Sequence, residues 1–262
     1  MVMKPKKSLG QNFLRDENIA RKIVDVIAPD ETDRILEIGP GYGVLTKYIA
    51  NYVREYVGVE LDRILCARLK NEYKDIGHVR IIEDDILKID LHFIFNHEKN
   101  WKVIGNIPYH LTSEIIFKAI EHRANITSLT MMIQKEVAQR IVSSPNSKQY
   151  GILAIMSQLY SDVNIHFKVS KHVFFPKPKV DSAVVQWKFL KNPRFDLIDE
   201  SQFKRLIRAL FNQRRKIIKN SIKTVEPDIM LEDSISSRRP EQLSIQNLVQ
   251  LSNRIAYGKK RH

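Results

Sequence analysis

Cysteine is nearly absent from this chain. A single residue, Cys66, occurs among 262, so no intramolecular disulfide can form and the composition suits a reducing compartment. Cys66 follows a strand-terminal acid inside an amphipathic stretch, the setting of a core or helix-face thiol. The eight histidines are scattered without Cys/His ligand spacing, so no metal site is expected. No apolar run approaches the roughly 20 residues of a membrane span, and the basic stretch Met1 to Ser8 has no apolar signal core behind it. These absences predict a cytoplasmic protein without a membrane partner. Internal repeats and low-complexity segments are lacking too. Acidic residues are the other shortage: 30 Asp and Glu face 43 Lys and Arg, giving a net charge of +13 and a pI near 9.7. A basic excess of that size favours a polyanionic partner. It is densest towards the end of the chain, where residues 192–262 carry net +7 over 71 positions.

What is present is more specific. Asn106-Ile107-Pro108-Tyr109 contains the parts needed to methylate an exocyclic amine of a nucleobase. The lone pair of such an amine is delocalised into the ring, so it attacks only when acceptors hold its hydrogens and the nitrogen can pyramidalise. The Asn106 side-chain oxygen and the Ile107 carbonyl can serve as those acceptors. Pro108, with no N–H and a fixed φ, stiffens the turn and aims the preceding carbonyl. Tyr109 can stack on a flipped base.

Upstream, the β-prone run Arg34 to Ile38 leads into Gly39-Pro40-Gly41-Tyr42-Gly43 and then an apolar helical stretch, Val44 to Ala50. This is a strand, a glycine turn and a helix. Gly39 and Gly41 let the backbone approach a ligand, and the helix start faces it with free N–H groups. A dinucleotide fingerprint would need GxGxxG. The spacing here is GxGxG, which suits S-adenosylmethionine, a ligand with an adenosine and an amino acid but no phosphate. The next run, Tyr56 to Val59, ends at Glu60, an acid placed to accept both ribose hydroxyls. A third, Val79 to Ile82, ends in Glu83-Asp84-Asp85-Ile86. There a carboxylate, Asp85 in preference to Asp84, can accept from the adenine amine while the apolar Ile86 covers the ring.

Five segments taken together resemble the KsgA/Dim family of rRNA adenine N6,N6-dimethyltransferases. They are Leu9 to Leu14, Glu37 to Gly41, Asn106 to Tyr109, Phe174-Phe175-Pro176-Lys177-Pro178-Lys179-Val180-Asp181-Ser182, and Phe211-Asn212-Gln213-Arg214-Arg215-Lys216. They occur in the family's order and span nearly the whole chain. The departures are mild: Ile107 stands for a commoner leucine, and His110-Leu111-Thr112 for Asn-Ile-Ser. The resemblance implies S-adenosylmethionine as methyl donor. It implies as target two adjacent adenines in the hairpin near the 3′ end of small-subunit rRNA. The expected partner is that rRNA within a 30S-type pre-ribosomal particle, and a monomer is expected. The resemblance assigns Asn12, Leu14, Gly39, Glu60, Asp85 and Asn106 to the cofactor, and Asn106, Tyr109 and Phe174 to the target base. Without that resemblance, Phe174 reads as core packing beside Phe175. Two other functions share part of these features: an Erm-type methyltransferase acting on large-subunit rRNA, and a non-catalytic RNA clamp in ribosome assembly. The Leu9–Leu14 and Phe211–Lys216 segments favour the first reading over Erm, and the intact Asn106 and glycine loop argue for catalysis.

The rhythm of the chain predicts its organisation. Asp16 caps a helix running to Ala28, and strand-like and helix-like runs then alternate to Ile133, the pattern of a mostly parallel sheet covered on both faces. Helices are expected over 134–142 and 150–160, and two late strands over 162–169 and 182–190 as an antiparallel edge. The expected class is α/β, a Rossmann-like class I methyltransferase with a seven-stranded sheet, plus a small all-helical C-terminal domain. Asn192-Pro193 breaks the pattern, so the boundary is placed between a catalytic domain, 1–191, and a basic rRNA-binding domain, 192–262. In the latter, Arg205, Arg208, Arg214, Arg215, Lys216, Lys219 and Lys223 recur at three- and four-residue spacings between apolar residues. They predict a helical surface whose cations meet phosphates. Lys4, Lys6 and Lys7 precede Gln11-Asn12-Phe13, so a basic arm is expected to touch RNA and close over the cofactor.

Overall fold

The computed structural model describes residues 10–227 and 229–259; Lys4, Lys6, Lys7 and Leu9 lie outside them. The chain begins with β1 (Phe13–Leu14) and α1 (Glu17–Ile27). Asp16 caps α1 by accepting from the Asn18 and Ile19 N–H groups, and Ala28 ends it in the left-handed region at φ 45°. There follow β2 (Arg34–Ile38), α2 (Thr46–Ile49), β3 (Glu55–Glu60), α3 (Arg63–Glu72), β4 (Val79–Glu83) and α4 (Leu91–Phe95). Next come β5 (Trp101–Gly105), α5 (Thr112–Glu121), β6 (Ile126–Gln134), α6 (Lys135–Ile141) and α7 (Ile152–Tyr160). The remainder is β7 (Ser161–Val169), β8 (Phe174–Phe175), β9 (Ser182–Phe189), α8 (Glu200–Asn212), α9 (Ile218–Ser221), α10 (Asp233–Ser236) and α11 (Ile245–Lys259).

Among the described residues, seven strands form one sheet in the order β4-β3-β2-β5-β6-β9-β7. Strands β2 to β6 pair in parallel, and β9 lies antiparallel to β6. Every residue of β2 is buried, as expected of a central parallel strand covered on both faces. The chain winds outward from β2 to β4, then returns to start β5 on the other side of β2. That reversal opens a crevice beyond the carboxyl ends of β2 and β5, where open α/β sheets bind ligands. A separate antiparallel ribbon, β1 with β8, was not foreseen from sequence, because two-residue strands carry no periodicity.

The chain divides into two compact units. One comprises the residues up to Ala138 together with Asp162–Phe189; the other comprises Gln139–Ser161 and everything from Leu190 onward. The C-terminal division falls close to the expected one at 191, but residues 139–161 join the helical unit instead of the sheet unit. The reason is long-range bonding. Within that unit the Asn146 N–H donates to the Glu241 carbonyl at 2.8 Å, Arg194 donates to the carbonyls of Gln158 and Ser161, and Tyr150 meets Phe211 edge to face. The described elements of this unit are all helical. Among the described residues no helix is long and apolar enough to cross a membrane.

Candidate active site

The crevice is a cavity of about 270 Å³ within the sheet unit, close to the lower end for small-molecule sites. It is lined by the loops that follow β2, β3, β4 and β5, and by Gln11 to Leu14 folded across them. Gly39, Gly41 and Gly43 have φ of 64°, 62° and 75°, a conformation open to glycine at little cost. A side chain at Gly41 would also come within 3.2 Å of the Phe13 ring. The glycines thus allow a tight loop and the packing of the N-terminal segment upon it.

Glu60, at the end of β3, is 5% exposed. Its Oε2 accepts from the Gly41 N–H at 2.9 Å and its Oε1 from the Asp62 N–H at 2.8 Å. Each oxygen retains a lone pair, so two backbone donors fix the carboxylate as a two-pronged acceptor. Burial pushes its pKa upward, opposed by those two N–H groups. At the end of β4, Asp84, Asp85 and Ile86 all line the cavity. Asp85 Oδ1 accepts from the Leu87 N–H at 3.0 Å and Lys88 stands 3.7 Å from Oδ2, while Ile86 is buried and apolar. Diol acceptors, an apolar cover with an adjacent carboxylate and a tight glycine loop match the parts of S-adenosylmethionine.

Beyond β5, Asn106 donates through Nδ2 to the Asn12 carbonyl at 3.1 Å. That bond engages one amide hydrogen and fixes the side chain, whose Oδ1 is its acceptor end. Asn12 is itself held by an Nδ2 bond to the Gly10 carbonyl at 3.2 Å, and Leu14 completes this wall. Pro108 lies at φ −55° and its carbonyl accepts from the Leu111 N–H, starting a short turn of 3-10 helix at Tyr109.

Two sequence candidates sit elsewhere. Tyr109 is outside the cavity lining, half-buried, its hydroxyl 2.7 Å from Ser182 Oγ; burial raises its pKa. Phe174 is 4% exposed and packs in the hydrophobic core with Leu14, Ile23 and Val184. Core packing is therefore what its ring does. Sequence reasoning missed the partners that set these groups: Ser182 for Tyr109, Asp62 for Glu60 and Gln11, and Lys118. The Lys118 amine donates to the carbonyls of Leu87 at 3.2 Å and Ile89 at 2.6 Å, tying α5 to the loop that carries Asp85. Glu37, in β2, also lines the cavity. It is fully enclosed, accepts from Thr46 and Tyr56, and burial pushes its pKa up to about 7. Among the described residues no group of three His, Cys, Asp or Glu is arranged to hold a metal.

The family profile described as ribosomal RNA adenine dimethylase matches residues 2–256. The chain belongs to that family. It is 47% identical over 247 residues to ribosomal RNA small subunit methyltransferase A of Chlorobium phaeobacteroides (strain BS1), covering 94% of this chain and 92% of that protein. The protein of the same name from Bacteroides thetaiotaomicron is 42% identical over 257 residues, covering 97% and 95%. A dimethyladenosine transferase from Plasmodium falciparum shares the fold with a TM-score of 0.77 at 23% identity, over 95% of this chain and 98% of that one. The 23S rRNA methyltransferase ErmE does so at 0.67 and 23%, over 92% and 99%. This member of the rRNA adenine dimethylase family is therefore a methyltransferase with the Rossmann-like fold of that class.

Its helical unit holds the RNA candidates, and they are not alike. In α8 the buried residues Phe203, Leu206, Ile207 and Leu210 leave Arg205 and Arg208 on the exposed face. Arg205 donates to Gln202 Oε1. The helix ends at Asn212, so the expected continuous helical surface is broken by a turn over Gln213–Arg215 before α9. Arg215, Lys216, Lys219 and Lys223 are exposed. Arg214 is not: its Nε stands 2.6 Å from Glu241 Oε2, and its Nη2 donates to the Ser147 carbonyl at 3.2 Å. Neutralised by a carboxylate, it is a brace inside the unit.

Proposed function

We propose that this chain transfers methyl groups from S-adenosylmethionine to N6 of two adjacent adenines in the 3′-terminal hairpin of small-subunit rRNA, giving N6,N6-dimethyladenosines. It acts as a cytoplasmic monomer on a 30S-type pre-ribosomal particle and serves as a factor in the biogenesis of that subunit. The observation that carries this is the Asn106 amide, held by the Asn12 carbonyl with its oxygen left as acceptor, in the same crevice as Glu60 and Asp85. When bound, the cofactor supplies an electrophilic methyl group on a sulfonium.

The chain's own residues align and desolvate. Glu60 would accept from the ribose diol and Asp85 from the adenine amine of the cofactor, with Ile86 covering that ring. Asn12, Leu14, Gly39 and Gly41 close the site around it. Asn106 Oδ1 would accept a hydrogen of the target N6, which localises the lone pair on that nitrogen. No base of raised pKa is needed, because the cationic product can release its proton to water. Tyr109 flanks the target base, its ring oriented by Ser182. Phe174 supports the wall from the core through its pairing with Leu14. The second methylation requires room for the first methyl, so the clamp on the base is loose. Arg205, Arg208, Arg215, Lys216 and Lys219 meet RNA phosphates. The high identity to small-subunit enzymes supports this substrate over the large-subunit target of ErmE.

The test is methyl transfer to small-subunit particles lacking these modifications, with mass spectrometry of the rRNA. Wild-type enzyme is expected to give two adjacent dimethyladenosines. Asn106→Ala is expected to lower kcat by about 10²–10³, the usual cost of one transition-state hydrogen-bonding group, with an unchanged melting temperature. No transfer to these adenines by the wild-type enzyme, or wild-type rates in the variant, would refute it.

A further inference from the structure

The ribbon of β1 and β8 carries chemistry that the catalytic scheme does not use. Phe13 pairs with Phe175, and Leu14 with Phe174; the Arg15 N–H extends the ladder to the Val173 carbonyl at 2.9 Å. Side chains alternate across a strand, so Phe13, Arg15 and Phe175 share one face while Leu14 and Phe174 share the other. The second face is core. The first is open: Phe175 is 41% exposed, and the Arg15 guanidinium lies 3.9 Å from the centre of its ring. Further along, Phe13 meets Tyr42 edge to face at 4.6 Å, and Arg68 stands 5.6 Å from the Tyr42 ring. Phe13 and Tyr42 also line the cofactor cavity. Three aromatic residues, Tyr42, Phe13 and Phe175, with an arginine at either end, thus lead in a row from the cavity wall out to the surface. The loop after β8 adds the exposed Lys177 and Lys179.

Folding does not require the outer part of this row, since Arg15 and Phe175 bury neither ring nor guanidinium in the core. Its chemistry is that of a surface for unpaired nucleotides: a π face for stacking, an arginine plane beside it and lysines for phosphates. We propose that Phe175, backed by Arg15, stacks a nucleotide next to the flipped target adenine, with Lys177 and Lys179 against the adjoining phosphates. Extruding a base removes a stacking partner from each of its neighbours, and an exposed ring beside the cavity replaces one of them. The proposal rests on RNA methylation by this chain and assigns to its sheet unit a share of RNA binding separate from the helical unit.

The experiment measures RNA affinity, S-adenosylmethionine affinity, methyl transfer and melting temperature for wild type, Phe175→Leu, Phe175→Trp and Arg15→Gln. Leucine preserves apolar area without a π face; tryptophan preserves the π face. Phe175→Leu is expected to raise the RNA Kd by about five-fold or more, the low end for one lost base stack. Phe175→Trp is expected to match wild type, and Arg15→Gln to weaken RNA binding, all with cofactor affinity and melting unchanged. The platform is overturned if Phe175→Leu binds RNA like wild type, or loses affinity only together with its thermal transition. Wild-type transfer in the same assay separates the two ideas: transfer with no effect of Phe175→Leu removes the platform alone, whereas no transfer by wild type removes the substrate assignment and the platform with it.

Discussion

Replacing Arg214 with Ala is expected to loosen the helical unit without releasing RNA. Charge patterning alone groups Arg214 with Arg215 and Lys216, but its guanidinium is committed to Glu241 at 2.6 Å and to the Ser147 carbonyl at 3.2 Å. These bonds tie three segments of the unit that are distant in sequence. A hydrogen bond to a charged group contributes about 1.5–3 kcal/mol when enclosed, and an exposed ion pair about 0.2–1 kcal/mol. Here the two side chains are 35% and 24% exposed, between those limits, so a loss of about 1–2 kcal/mol is expected. For a unit on the order of 100 residues, each kcal/mol moves the melting temperature by about 4–8 °C. The assays are thermal melting and RNA binding over a salt series. Arg214→Ala should melt lower by roughly 5–15 °C on that scaling while keeping the slope of log Kd against log salt. Arg215→Ala and Lys216→Ala should leave melting unchanged and each remove about 0.7–0.9 from the slope. A variant Arg214→Ala that melts like wild type and loses a full phosphate increment would refute the assignment.

Two further outcomes follow from the enclosed Glu37 and the half-buried Lys118. Burial raises the Glu37 carboxyl from its ordinary 4.5 to about 7, so the folded chain holds its proton more tightly than the unfolded one, and the stability this confers is present below pH 4.5 and lost as pH rises through 7. Denaturation of the cofactor-free protein should show about 3 kcal/mol of that loss, and Glu37→Gln should abolish it; an unchanged pH profile in the variant would sink the idea. Lys118→Met strips the Leu87 and Ile89 carbonyls of their shared donor, so calorimetry should find weaker S-adenosylmethionine binding, while kcat at saturating cofactor is retained; a fall in kcat with unchanged cofactor affinity would contradict a positioning role.

Much of the site could be read along the chain because a parallel α/β sheet turns sequence order into geometry. Each strand end supplies one group, and the reversal between β2 and β5 brings Gly39, Glu60, Asp85 and Asn106 to one crevice. Local signals were equally legible: the Asp16 cap, the left-handed glycines and the proline-stiffened turn each act within a few residues, where propensity is strong. Charge was legible only as a total. Whether a cation faces water or a carboxylate depends on residues far away in sequence, which is why Arg214 parted from Arg215. The same limit hid the transfer of residues 139–161 to the helical unit, decided by the bonds of Asn146 to Glu241 and of Arg194 to Gln158 and Ser161. It hid the two faces of the β1–β8 ribbon as well. Two adjacent phenylalanines look alike in sequence, yet pairing with Leu14 buries Phe174 while pairing with Phe13 leaves Phe175 beside Arg15. The sequence by itself determined the elements, the strand-end chemistry and the sign of the charge, because these arise from neighbours along the chain. Only the tertiary structure decided which cations and rings remain open to a partner, because burial and pairing are set by contacts that the chain makes across long distances.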